Sequence, residues 1–206
     1  DSLGSLLPYL SQAYLGRALV YLQRGQAEQA VSDYNWVLSS MQPGTLWEDD
    51  RLCELRLALD PYEKGIDMER EYQLARDAGQ NELAMYLRGA YAMHQAQYEQ
   101  AMYAFEQLCQ RAERPELQLL AWCRKAQIYH RRELYQQALT AIQEAMDLDT
   151  SHPLPHFLKG IVLARLQGGE AYARAYFSSS EKLGISGQYR IQMLKALSQP
   201  EQPQDE

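Results

Sequence analysis

The stretch Gln118–Asp149, QLLAWCRKAQIYHRRELYQQALTAIQEAMDLD, decides the fold. It reads as two amphipathic helices of similar length joined by a turn near Arg131–Leu134. Trp122, Ala126 and Tyr129 fall on one face of the first helix, and Tyr135, Ala138, Ile142 and Ala145 on one face of the second. Bulky residues alternate with small ones on both faces, so a large side chain on one helix can fill the notch over an alanine on the other. A lone pair of helices this short buries too little apolar surface to hold itself together. Its remaining faces therefore need neighbours.

Those neighbours are copies of the same figure. A small residue recurs in the middle of each first helix at Ala18, Cys53, Gly89, Ala126 and Gly160, in steps of 35, 36, 37 and 34. A second marker, early in each second helix, recurs at Ala30, Gly65, Ala101, Ala138 and Ala173, in steps of 35, 36, 37 and 35. Two independent markers drifting together are the signature of a tandem array. The turns between the paired helices begin at Arg24-Gly25-Gln26, Asp60-Pro61-Tyr62, Ala96-Gln97-Tyr98, Glu133-Leu134-Tyr135 and Gly168-Gly169-Glu170. A bulky residue follows the second marker by four in most copies, at Tyr34, Phe105, Ile142 and Phe177.

This pattern, clearest in LGRALVYLQRGQAEQAVSDY, AQYEQAMYAFEQL and ELYQQALTAIQEAMDLD, resembles the tetratricopeptide repeat (TPR) family. The resemblance implies an all-α fold, a right-handed superhelical solenoid of helix-turn-helix repeats over 8–43, 44–79, 80–115, 116–152 and 153–184. The second copy departs most, with Arg56 and Glu69 where the family places large apolar residues. Gly187–Leu197 reads as a capping helix with one solvated face, which the exposed end of an array requires. Ser198–Glu206 is too polar to bury anything and reads as a disordered tail.

Composition narrows the function. Apolar residues at 46% and charged residues at 23% suit a folded soluble chain. Tyrosine, at 15 against three phenylalanines, supplies rings for half-buried helix faces. A net charge of −7 argues against nucleic acid, whose phosphates call for a basic face. The three cysteines form no CxxC pair and read as reduced thiols. They favour a cytoplasmic setting, although a chain that opens on Asp1 reads as a fragment or a processed product, open to a periplasm or lumen. No apolar run approaches the roughly 18 residues of a membrane span.

By family resemblance the first helices line a concave surface that grips a peptide or protein segment. Trp47, Tyr86, His94, Gln127, His130, Arg131, Phe157 and Arg165 are the candidate binding residues, on the face opposite the packing stripe. The family's carboxylate clamp of lysine, asparagine and arginine is absent on this register, where Leu15, Leu19, Tyr86 and Ala90 stand and Arg124 alone could match. Charge is uneven: residues 48–77 carry ten acidic against five basic side chains, and residues 124–133 carry Arg124, Lys125, Arg131 and Arg132 against Glu133. His152 and His156 lie four apart, a metal-like spacing, but two intervening prolines and the lack of a third ligand argue against a metal site. No cofactor is implied, and no nucleophile, base and carboxylate constellation emerges. The reading is a non-catalytic scaffold with a protein or peptide partner; the alternative is a regulatory domain of a longer protein that binds a small effector or signalling peptide. A homodimer through the terminal helices also fits.

Overall fold

The computed structural model describes residues 7–40, 59, 65–185 and 189–198. Among them are ten helices and no strand. They are α1 (Leu7–Gln23), α2 (Ala27–Ser40), α3 (Met68–Asp77), α4 (Asn81–His94), α5 (Tyr98–Arg111), α6 (Pro115–Arg131), α7 (Tyr135–Leu148), α8 (Pro153–Leu163), α9 (Glu170–Lys182) and α10 (Tyr189–Ser198). Most of the expected first helix of the second copy and the polar tail lie outside the described residues. The chain is all-α, with consecutive helices packed in pairs as in a TPR solenoid. It divides into two units, Asp1–Leu87 and Arg88–Glu206.

Helices stop where the backbone can turn left-handed. Gly25, Gly79, Ala96, Glu133 and Gly184 all have positive φ. In each case the next N–H reaches back five residues to a helix carbonyl, as in Gln26 to Tyr21 at 2.8 Å and Leu134 to Tyr129 at 2.9 Å. This closure satisfies carbonyls that the helix end leaves without partners. Ala96 and Glu133 adopt it without glycine's freedom, each against the steric preference of its Cβ.

In the first unit, α1 pairs with α2 through Leu15, Ala18 and Leu22 against Ala30, Tyr34, Val37 and Leu38, all buried. Tyr14 stacks on Trp36 at 3.9 Å, and Arg17 lies 4.5 Å over the Tyr14 ring. Arg17 also donates from Nε and Nη2 to the two Asp33 oxygens, each at 2.7 Å, which neutralises a carboxylate that is only 5% exposed. The second marker of copy two, Gly65, sits in a 3-10 turn before α3 rather than inside that helix. Here Asp67 caps the helix, its side chain accepting from Arg70 N–H at 3.0 Å, so α3 begins three residues after Gly65. The buried face of α3 is consequently Met68, Glu71, Leu74 and Ala75. The buried Glu71 carboxylate accepts from Tyr34 Oη at 2.5 Å.

In the second unit the marker residues meet across the paired helices. A Cβ on Gly160 would lie 2.4 Å from the Phe177 ring, and one on Gly89 would lie 2.8 Å from Phe105. The glycines let each ring sit directly on the opposing backbone, so small and bulky residues four and more turns apart in sequence form one contact. Helix α6 is buried on nearly every side, packing on α5, α7 and α8. Lys125 faces inward with it, ion-paired to Glu106 and 4.2 Å over the Trp122 ring. Helix α10 packs on α8 and α9 through Tyr189, Met193 and Ala196, while Leu194 and Lys195 face solvent.

Two prolines do not prevent a regular α8. Pro153 opens the helix and Pro155 stays in its first turn, where backbone N–H groups have no intrahelical acceptor. His152 is the N-cap, its Nδ1 accepting from Leu154 N–H at 3.3 Å, and His156 Nε2 lies 2.9 Å from the Thr150 carbonyl oxygen. Both imidazoles therefore serve the start of a helix. Among the described residues no three His, Cys, Asp or Glu side chains group to hold a metal ion.

Candidate functional site

The last turn of α6 leaves the core, and four of the sequence-derived candidates converge near it. Gln127 and His130 are half-buried, Arg131 is exposed, and Arg165 follows α8 half-buried in its turn. Gln127 is held by Arg124, which is buried and donates from Nη1 to its Oε1 at 3.2 Å. The His130 ring stands edge-on to Tyr135 of α7, centroids 5.9 Å apart at 63°. Its Nε2 is enclosed and has no hydrogen-bond partner among the described residues. Burial foremost, then the charges of Arg165 and Arg131, hold its pKa below the ordinary imidazole value. The ring is therefore neutral at pH 7.

The charge run around this turn is less basic in the fold than in the sequence. Glu106 neutralises Lys125, and Glu99 neutralises Arg132 across 2.5 Å. Those hydrogen bonds hold both carboxyl groups below the ordinary carboxylate range. Arg131 and Arg165, by contrast, form no ion pair or side-chain hydrogen bond among the described residues. The free positive charge of the run is thus concentrated at the His130 edge. Glu99, Glu106 and Tyr135 were not among the candidates, yet they shape the site. A lysine on the inward side of α6 was the available signal, since a buried ammonium requires a carboxylate.

The other candidates are dispersed. His94, the last residue of α4, is exposed. Tyr86 and Phe157 are each 2% exposed, so neither offers a ring to a ligand in this structure. Phe157 lies 4.6 Å from the Tyr189 ring and 6.1 Å from Phe177, because α10 covers the face of α8 that the repeat pattern leaves open. Trp47 lies outside the described residues. Cys109 and Cys123 are buried, and burial pushes the Cys109 thiol up to about 12, which leaves it unreactive at neutral pH. Among the described residues no helix is long and apolar enough to cross a membrane.

Residues 119–152 match the model of the tetratricopeptide repeat. A solved structure described as MamA RS-1 ArsTM double mutant is similar over 84% of this chain and 94% of that one, at 19% identity and a TM-score of 0.44. No curated protein matches the chain by sequence.

Proposed function

We infer that this chain, a TPR protein, is a non-catalytic scaffold that holds a segment of a partner protein. The observation that carries the reading is the repeat matched at 119–152, since TPR proteins bind protein partners and the fold is generally non-enzymatic. The binding surface proposed is the polar edge at the end of α6, with Gln127, His130, Arg131 and Arg165 as its contacts and His94 as a further candidate. Its helices are positioned by packing before any partner arrives, so little ordering cost falls on the scaffold.

An array of peptides of varied composition, probed with the whole chain, tests this. Some peptides should be retained, and the retained signal should fall several-fold for Arg131→Ala while the melting temperature stays within a few degrees. An array on which nothing is retained would remove the scaffold reading.

A further inference from the structure

We propose that His130, Arg131 and Arg165 form a carboxylate-binding notch that takes an aspartate or glutamate side chain from an acidic segment of the partner. This rests on the scaffold reading above and names the chemistry of its ligand. Three features at one place support it. His130 Nε2 is enclosed and lacks a partner, and such an atom is destabilising until something bonds to it. As a neutral imidazole it can carry its proton on Nε2 and donate it to an oxygen. Arg131 and Arg165 then supply guanidinium groups that no carboxylate of the described residues occupies, and a guanidinium fork matches a carboxylate's two oxygens.

Charge complementarity selects the ligand. A basic peptide would bring like charge to both arginines, and a neutral amide would forgo the charge-assisted bonds. The chain's overall −7 does not oppose this strongly, because the screening length at physiological ionic strength is about 8 Å and the charges that act on His130 are those of Arg165 and Arg131. Because Nε2 is enclosed, entry of the carboxylate requires the side chains around it to reorient.

Fluorescence anisotropy of the whole chain with labelled glycine-serine peptides tests the notch. One peptide would carry three glutamates, a second three glutamines and a third one phosphoserine. The glutamate peptide should bind measurably and the glutamine peptide at least tenfold more weakly. Arg131→Gln and Arg165→Gln should each weaken the glutamate peptide by about tenfold, as loss of one charge-assisted hydrogen bond predicts. His130→Phe, which keeps a ring beside Tyr135, should weaken it by about fivefold or more. Lys182→Gln, on α9, should change it less than twofold.

Equal losses from Lys182→Gln would show diffuse attraction, and binding of the phosphoserine peptide alone would show a phosphate site. Either result overturns the proposal. So does retention of other peptides on the composition array that Arg131→Gln and Arg165→Gln leave unchanged, an outcome under which the scaffold reading survives.

Discussion

Ala96 and Glu133 hold φ of 58° and 61°, at the turn positions where Gly25 and Gly79 sit comfortably. An L-residue in the left-handed region costs about 1–2 kcal/mol, and glycine's extra unfolded-state entropy offsets part of what its substitution recovers. Ala96→Gly and Glu133→Gly should therefore each stabilise the chain by roughly 0.5–1 kcal/mol, seen as a higher urea midpoint at unchanged slope. His130 makes a second residue-scale prediction. Its folded pKa lies below the unfolded value of 6.5, so as pH falls past 6.5 the unfolded chain takes up the proton first. Stability should be fully present above that point and decline as pH falls toward the folded pKa. Unfolding midpoints measured between pH 7.5 and 5.5 should drop less for His130→Gln than for the parent. His152 is also held low by burial and contributes the slope that remains. The lowered carboxylates Glu99 and Glu106 lose their contribution only at more acidic pH, outside this window.

At the scale of the element, the pairing of α8 with α9 depends on Gly160. A methyl group there would enter the Phe177 ring at 2.4 Å, and that ring is itself enclosed at 4% exposure. Helix propensity alone favours alanine over glycine by about 1 kcal/mol, so the two effects oppose each other. Overpacking of a rigid ring typically costs about 1–3 kcal/mol and should win. Gly160→Ala should lower the melting temperature, whereas Gly160→Ala combined with Phe177→Leu should recover part of the loss. A melting temperature raised by Gly160→Ala alone would show that α9 moves away freely. Helix α3 illustrates the other kind of element-scale control. Its start is set by the Asp67 cap, and its inward carboxylate Glu71 by the Tyr34 hydroxyl, so a copy with a weak apolar pattern still packs.

At the scale of the whole molecule, each packed pair contributes mainly through its neighbours, so protection should follow enclosure along the second unit. Amide exchange should be slowest in α6, buried on α5, α7 and α8, and faster in α10, which packs on α8 and α9. Uniform protection across both would mean the unit opens only as a whole. The period of the markers, the glycine-bearing turns and the small and bulky positions Gly89, Phe105, Gly160 and Phe177 were legible in order of residues alone, and the structure shows that Gly89 meets Phe105 and Gly160 meets Phe177. They depend on helical spacing and on side-chain size, which are local properties. The candidate site was legible only in part. Gln127, His130, Arg131 and Arg165 were named from register, but nothing in the register distinguishes them from Tyr86 and Phe157, which are enclosed.

That difference marks where local information ends. Residue order by itself determined that this chain is built of paired helices repeating about every 35 residues, because periodicity, turn chemistry and small-to-bulky alternation act within one hairpin. Only the tertiary structure decided which faces stay open and which charges stay free. Phe157 closes because α10 lies on α8, and Lys125 and Arg132 are neutralised because Glu106 and Glu99 arrive from α5. Burial and ion pairing are set by what neighbouring helices bring to a point in space, and that sum is taken over residues far apart in the chain.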